Sequence, residues 1–291
     1  MNRLLTAVAR PLARGSFRLS QALIRHLPRA GSARSRLPNG RELVLESDGD
    51  DPWTSQLFWQ GWAGFYEPEV LPLFYALARR SRAILDVGAS VGIYALVAAH
   101  ANPEAEVVAF EPSAAFERLQ RNIVANGLGN VLAVRLAAGA EDGQAQLFSG
   151  AETVAAMASS SLSRAHVVSE DGALAVNTVG VVAVDTFVRE HGIAHVDLVK
   201  IDTERTEPDV VVGMRETISR DRPSIVCEVL DRERGRALEE LLRPFDYRWY
   251  HLTWMGPLER DEIAPSPTQA CQNYLFTTLE PAEMVVLRSS V

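Results

Sequence analysis

The sequence has few cysteines, almost no lysine and no long apolar run. Cys227 and Cys271 are its only cysteines, and the absence of a CxxC pair excludes a structural zinc site. The sequence does not decide whether the two are paired, but so low a cysteine content predicts a reduced, cytoplasmic protein. No apolar run approaches the ~18 to 20 residues of a membrane-spanning helix, which excludes an integral membrane protein. Lys200 is the only lysine among 29 lysine and arginine residues.

Acidic residues are missing from the first 41 positions, which carry nine arginines. All 37 Asp and Glu residues therefore lie in the rest of the chain, and so acidic a body argues against a nucleic-acid partner. We expect residues 1–40 to form a basic and poorly ordered arm. The alternatives for this arm are contact with an anionic lipid surface, attachment to an acidic partner, or a transit peptide. The oligomeric state stays open.

The remaining residues divide into a short leading segment and one large domain. Residues 41–82 combine a strand, a cluster of aromatic residues and an apolar helix, and we expect them to pack on the core of a domain at 83–291. From residue 83 onwards, short apolar runs alternate with helical segments, which predicts a doubly wound α/β sheet that is mostly parallel. The predicted strands are 83–87, 107–110, 131–136, 179–184, 196–201 and 224–229, with a closing pair at 247–252 and 274–278.

The strongest local motif runs from Ile84 to Gly92, where a strand enters a tight turn and then a helix. Gly88 and Gly92 allow a ligand to approach the backbone, and the helix beyond them offers free N–H groups. The motif lacks the third glycine of a dinucleotide fingerprint, and Asp86 would repel a pyrophosphate. Glu111 ends the second strand, where an acid accepts hydrogen bonds from ribose hydroxyls. The pattern therefore favours S-adenosylmethionine over NAD or FAD.

The same turn also matches the GxSxG motif of α/β-hydrolases, with Ser90 as its serine. Asp246 and His251 follow in the order of a hydrolase triad. However, a nucleophile elbow follows several strands of a hydrolase sheet, and this one follows the first strong strand. A serine hydrolase is therefore the less favoured interpretation.

A second cluster of charged residues, 200–207, follows the strand at 196–201. Asp202 and Glu204 stand two positions apart, so in an extended backbone both side chains face the ligand-binding edge of the sheet. Such a pair can bind a divalent cation, hold sugar hydroxyls or supply a general base. The structural alternative is capping of the helix that begins near Pro208.

Taken in order, these segments resemble the FkbM family of S-adenosylmethionine-dependent methyltransferases. The resemblance covers roughly residues 40–280 and rests on ILDVGASVGIYAL, VVAFEPSAAFERLQRNIVANGL, VAVDTFVREHG, VDLVKIDTERTEPDVVVGM and RPSIVCEVL. It implies a class I, Rossmann-like methyltransferase fold whose seven-stranded sheet has an antiparallel last strand. It also implies O-methylation of a hydroxyl on a sugar, a glycolipid or a natural product, so that the partner is a small-molecule or glycan acceptor.

The resemblance also assigns roles to single residues. Asp86 and the turn that follows it resemble the cofactor loop, Glu111 the ribose acid, and Ala138 the segment that flanks adenine. Asp202 and Glu204 match the acidic positions of the IDxEG signature. The cofactor residues implied are Asp86, Gly88, Ala89, Ser90, Gly92, Glu111 and Ala138. The catalytic candidates are Asp202, Glu204 and His166, with Asp202 as first choice for the base and His166 as second.

Two positions depart from the family pattern. Ser90 stands where the family more often has Asn or His, and Arg205 stands where it has glycine. If that glycine requires a positive φ, an arginine there introduces strain. The alternative function is therefore a methyltransferase-like binding protein that Arg205 has impaired. Arg205 is expected to pair with Glu204 or with an anionic group of the substrate.

Overall fold

The computed structural model describes residue 12 and residues 17–149, 161–162, 175–266 and 271–288. Near the N-terminus, helix α1 (Phe17–His26) precedes strands β1 (Ala30–Arg36) and β2 (Glu42–Asp48). The two strands form an antiparallel hairpin over their whole length. Ala33 and Leu37 are buried in the core, so the ordered chain extends well into the predicted arm. The reason is that β2, which the sequence does predict, needs an antiparallel neighbour.

The aromatic segment consists of two helices joined by a short turn. Helix α2 (Pro52–Gln60) begins at Asp51, whose carboxylate accepts a hydrogen bond from the Thr54 N–H, and ends before Gly61. A 3₁₀ turn (Trp62–Gly64) and helix α3 (Leu71–Ala78) follow. Arg118 anchors this region because its buried guanidinium bonds to Asp48, Asp50 and Asp51. The segment therefore packs on the domain, as predicted.

An eight-stranded sheet forms the centre of the molecule. Its strands are β3 (Ala83–Val87), β4 (Glu106–Phe110), β5 (Val131–Val134), β9 (Leu198–Ile201), β10 (Ser224–Glu228), β11 (Arg248–Thr253), β12 (Gly256–Arg260) and β13 (Asn273–Thr277). Their order is β12-β11-β13-β10-β9-β3-β4-β5, with β13 antiparallel to both neighbours. This arrangement confirms the predicted doubly wound class, and β12 adds an edge strand to the seven expected.

Helices cover both faces of this sheet, which explains why its central strands are continuous apolar runs. The chain order of these helices is α4 (Ile93–Ala101), α5 (Ala115–Ala125), α6 (Val184–Glu190), α7 (Glu207–Gly213), α8 (Arg215–Asp221), α9 (Arg232–Leu242) and α10 (Pro281–Arg288). Two apolar clusters result, one on each side of the sheet. No helix within the described ranges is long and apolar enough to cross a bilayer.

The segment that interrupts the α/β alternation forms a separate sheet of three strands. They are β6 (Ala137–Ala138), β7 (Gly143–Ser149) and β8 (Ala175–Val182), in the order β6-β8-β7. The run predicted as a strand at 179–184 lies in this small sheet rather than in the central one, because it pairs with β7 and β6.

Candidate active site

The turn between β3 and α4 is held in a left-handed path at three positions. Gly88, Ser90 and Gly92 have φ values of 82°, 51° and 92°. The N–H groups of Gly88 and Ala89 both donate to the Phe110 carbonyl at 3.0 and 2.9 Å, which fixes the turn against the end of β4. The predicted Gly-rich turn is thus present at the carboxyl end of the sheet, where doubly wound folds bind ligands.

Gly88 permits the closest backbone approach in this region. A Cβ built on it would lie 1.9 Å from the Asp202 carbonyl oxygen, a distance that no side chain tolerates. Its positive φ also favours glycine. The turn after β3 and the segment after β9 therefore meet at Gly88, and this contact brings the two predicted motifs together.

Asp86 lies beneath the turn, and its buried carboxylate faces the start of α4. Its Oδ2 atom accepts a hydrogen bond from the Ala95 N–H at 2.8 Å, in the first turn of that helix. Burial raises the pKa of Asp86 to about 7, although the Ala95 N–H and the Lys200 charge oppose the shift. Asp86 was predicted to contact the cofactor directly, and this role stays a prediction. The contact that the structure shows is with the helix N-terminus.

Glu111 follows β4 and joins the turn to the next loop. Its Oε2 atom accepts from the Ser90 N–H at 2.7 Å, and its Oε1 atom accepts from the Ser113 N–H at 2.8 Å. Burial raises the pKa of Glu111, and the hydrogen bonds from Ser113 and Ser90 oppose this. Because each carboxylate oxygen has two lone pairs, both oxygens can still accept a hydroxyl hydrogen.

A cleft opens beside Glu111. Its walls are mostly apolar, and polar groups lie along one side. The lining residues are Gly88, Phe110, Glu111, Pro112, Leu136, Ala137, Ala138, Leu147, Leu162, Asp202, Thr203, Glu204 and Thr206. Ala138 thus lines the same cavity as Glu111, and its predicted place beside adenine stays a prediction. A partly apolar cleft with a carboxylate at its edge suits a nucleoside.

Asp202 follows β9 directly and is supported from below by Lys200. Its backbone N–H donates to the Val87 carbonyl at 2.9 Å, and its Oδ2 atom accepts from Lys200 Nζ at 3.1 Å. Burial alone would lower the pKa of Lys200, but the carboxylates of Asp202, Glu67 and Glu228 raise it above its ordinary value. Asp202 therefore lines the cavity with the buried Lys200 ammonium hydrogen-bonded to it.

Glu204 and Arg205 leave the extended path that was expected after β9. Their φ values are 54° and 88°, so the backbone turns sharply at this point. Glu204 nevertheless lines the same cavity as Asp202, and burial, followed by the charges of Asp202 and Glu207, raises its pKa to about 7. The alternative of helix capping is not seen for either acid, because Thr206 precedes α7 and makes no capping bond with its side chain.

Glu207 holds this turn together, a role that the sequence did not indicate. Its buried Oε1 atom accepts from the N–H groups of Arg205 and Thr203 at 2.8 and 3.3 Å. The Arg205 guanidinium lies 3.5 Å from the Asp231 carboxylate, a partner that the sequence did not indicate, and its charge also acts to lower the pKa of Glu204. The positive φ of Arg205 does occur where the family pattern has glycine.

A second cavity adjoins the first. Three residues, Gly88, Asp202 and Glu204, line both cavities. The remaining walls of the second are Trp53, Tyr66, Ala89, Ser90, Val91, Ile93 and Tyr94. The Ser90 hydroxyl is buried there and has no hydrogen-bond partner among the described residues. The two cavities therefore meet at Asp202 and Glu204.

Other predicted residues are not brought together. His251 Nε2 donates a hydrogen bond to the Cys271 carbonyl at 2.7 Å, and its ring stacks on Tyr274. Asp246 is exposed near Arg222. Neither contacts Ser90, so the serine hydrolase interpretation is wrong. His166 lies outside the described residues. Within the described part of the chain, no cluster of His, Cys, Asp and Glu has the arrangement of a metal site, and the divalent cation finds no support.

Comparison with known proteins gives a matching family model and a curated relative. The model of the methyltransferase FkbM domain matches residues 86–249. The AMB antimetabolite synthetase AmbE of Pseudomonas aeruginosa is 30% identical over 194 residues, which are 55% of this chain and 9% of that protein. The chain thus spans a small fraction of this curated relative.

Two solved structures are also similar. A methyltransferase FkbM structure from Methylobacillus flagellatus is 17% identical, with a TM-score of 0.44, and the match covers 67% of this chain and 43% of that one. A SAM-dependent methyltransferase from Agrobacterium tumefaciens is 12% identical, with a TM-score of 0.42, covering 87% and 71%.

Proposed function

The chain belongs to the FkbM methyltransferase family, and from this premise we propose that it transfers a methyl group from S-adenosylmethionine to a hydroxyl oxygen. The observation that carries the proposal is the ridge formed by Gly88, Asp202 and Glu204, which separates two cavities. One cavity suits a nucleoside and the other suits a second molecule, so a group on the ridge is accessible from both sides.

The residues present fit S-adenosylmethionine rather than a phosphate-bearing cofactor. Glu111 would hold the ribose hydroxyls, and the apolar walls near Ala138 would hold the adenine. The ridge carries two carboxylates, and Lys200 behind them already bonds to Asp202. Such a surface attracts a sulfonium and an ammonium and repels a pyrophosphate. The buried Ser90 hydroxyl and the start of α4 offer donors to a carboxylate.

The chemistry then requires alignment and one proton transfer. When bound, S-adenosylmethionine supplies an electrophilic methyl group. Asp202 faces both cavities, so it is placed to accept the proton of a hydroxyl group in the second cavity as that oxygen becomes a nucleophile. A general base of this kind contributes roughly 100- to 10,000-fold. Glu204, whose pKa of about 7 keeps it partly protonated at neutral pH, would donate a hydrogen bond to the acceptor.

The second cavity fits a neutral polyhydroxylated acceptor such as a sugar, a glycolipid headgroup or a hydroxylated natural product. Trp53, Tyr66 and Tyr94 supply aromatic surface for C–H groups, and the two carboxylates accept hydroxyl hydrogen bonds. The AmbE relative is named as an antimetabolite synthetase, and this is consistent with a natural-product acceptor. The carboxylates disfavour anionic acceptors.

Titration calorimetry with S-adenosylmethionine tests the cofactor site. Glu111→Ala should weaken binding by roughly 10- to 150-fold, since it removes hydrogen bonds to a charged group worth about 1.5–3 kcal/mol. Glu106→Ala is the matched control, because Glu106 is exposed at the opposite end of β4. Equal affinity of the native chain and Glu111→Ala would contradict the assignment, as would tight binding of NAD in competition.

The acceptor class is tested with methyl-labelled S-adenosylmethionine and a panel of sugars, amines and carboxylic acids. We expect label in neutral polyols, in a product that survives mild alkali, because an ether is stable there and an ester is not. Asp202→Asn should reduce the rate by at least 100-fold while cofactor binding stays measurable. Label found in amines or acids instead would refute O-methylation.

A further inference from the structure

Lys200 is the only lysine of the chain, and its side chain is completely buried at the centre of the sheet. On β9 it lies between Asp86 of β3 and Val226 of β10. Burying an ammonium group is costly unless hydrogen bonds and opposite charges surround it. The contacts of the Lys200 ammonium group should therefore indicate its role.

The ammonium group has three neighbours that define its position. It donates to Asp202 Oδ2 at 3.1 Å and to Asn273 Oδ1 at 2.9 Å, and it lies 5.0 Å from the centre of the Tyr94 ring. Tyr94 is itself a wall of the second cavity. The ammonium is a compact point charge, whereas an arginine would bring a wide planar group to this buried position.

Asn273 extends this contact to the opposite wall. Its Nδ2 atom donates to Glu67 Oε1 at 3.0 Å, and the Tyr94 hydroxyl donates to Glu67 Oε2. Glu67 and its neighbour Tyr66 have positive φ values of 45° and 22°, a conformation that side chains rarely adopt. The bonds to Glu67 therefore hold Tyr66 against the second cavity in a strained backbone.

We propose that Lys200 is a positioning residue of the transfer site, whose ammonium holds the Asp202 carboxyl group in place and, through Asn273 and Glu67, fixes the Tyr66 wall. This inference rests on the proposed function, because it assumes that Asp202 faces the reacting oxygen. Among the described residues, the ionisable groups that face Lys200 are all acids. They are Glu67, Asp86, Tyr94, Asp202, Glu204, Cys227 and Glu228.

The role follows from the balance of charge. Burial raises the pKa of Glu67 and of Glu228, while the Lys200 charge opposes both shifts. Without that charge, the buried acids Glu67 and Glu228 would hold more protons at neutral pH before a cationic ligand arrives. Binding of the sulfonium would then release a proton that the native chain does not release.

Proton release on binding of S-adenosylmethionine measures this directly. Calorimetry of the full chain at pH 7, in two buffers of different ionisation enthalpy, gives the number of protons released. Lys200→Met should release about one proton more than the native chain. S-adenosylhomocysteine, whose sulfur is uncharged, should show a much smaller difference. Arg121→Met removes an exposed cation that bonds to Asp48 and should behave as native. Equal release by Lys200→Met and the native chain would overturn the inference.

Two further measurements cover the case that Lys200→Met does not fold. Lys200→Met combined with Glu67→Gln removes one charge of each sign, so the balance of charge is restored and the extra release should disappear. Extra release that persists in this double variant would contradict the role of charge balance. In the native chain, prepared without lysine in its tag, [ε-¹³C]lysine gives a single resonance, which should move when S-adenosylmethionine saturates the site. A resonance that stays unmoved while calorimetry shows binding refutes the role of Lys200 alone. Absence of binding refutes the proposed function instead.

Discussion

Glu204→Gln should stabilise the protein, and increasingly so as the pH rises. The pKa of the native carboxyl is raised from its ordinary value of 4.5 to about 7, chiefly by burial and by the neighbouring charges of Asp202 and Glu207. The folded chain therefore holds a proton that the unfolded chain has lost between these two values, and native stability falls as the pH rises through this window. Above pH 7, the full free-energy cost of ionising Glu204 in the folded chain lowers its stability.

The size of this stability effect follows from the difference between the raised and the ordinary pKa of Glu204. At about 1.4 kcal/mol per pH unit, ionising Glu204 costs the folded state about 3 kcal/mol, and the partial exposure of the side chain reduces this to roughly 2 kcal/mol. A glutamine avoids this cost. The advantage of Glu204→Gln should therefore be well under 1 kcal/mol at pH 5 and about 2 kcal/mol at pH 8.

Urea denaturation, followed by tryptophan fluorescence from pH 5 to pH 8.5, measures this difference. Glu104→Gln is the matched control, because Glu104 is exposed and its substitution should change the free energy of unfolding equally little at every pH. A stability difference between Glu204→Gln and the native chain that does not vary with pH would refute the assigned burial and charge environment of Glu204.

Two further substitutions test the ridge. Gly88→Ala places a Cβ 1.9 Å from the Asp202 carbonyl oxygen, so it should abolish measurable S-adenosylmethionine binding and lower the free energy of unfolding by about 2 kcal/mol or more, as seen by calorimetry and urea denaturation. Gly129→Ala, which meets nothing within 4 Å, is its control, and a harmless Gly88→Ala would contradict the close packing. Arg205→Gly should change methyl transfer by less than about threefold, because the Arg205 side chain lines neither cavity and is held by Asp231. A tenfold gain in rate would show instead that Arg205 impairs the native chain.

The sequence predicts the central strands well because each is an apolar run bounded by glycine or polar residues. β3, β4 and β9 are such runs, and both faces of the sheet are covered. β1 could not be predicted in this way. Its sequence, AGSARSR, is small and polar, and its pairing with β2 depends on a tertiary contact rather than on its own hydrophobicity.

The candidate site was predictable where a motif is local and hidden where it depends on distant contacts. Gly88, Glu111 and Asp202 each follow a predicted strand of the parallel sheet, and they do line a common cavity. Glu67 and Asn273 were missed because they are 206 positions apart and only the folded chain joins them. Lys200 stood out as the only lysine, but its purpose could not be inferred without its partners.

Arg118 has a practical consequence for anyone who works with a shortened protein. Its guanidinium bonds to Asp48, Asp50 and Asp51 in the acidic loop Asp48–Asp51. Trp53 and Glu67 follow this loop in the sequence. A fragment limited to residues 86–249, the stretch that the family model matches, would lack this acidic loop. Arg118 would then have no counter-ions, and the second cavity would lose Trp53 and Tyr66 from its walls. Expression designs should therefore begin upstream of Ala30, although the recognisable homology begins more than fifty residues later.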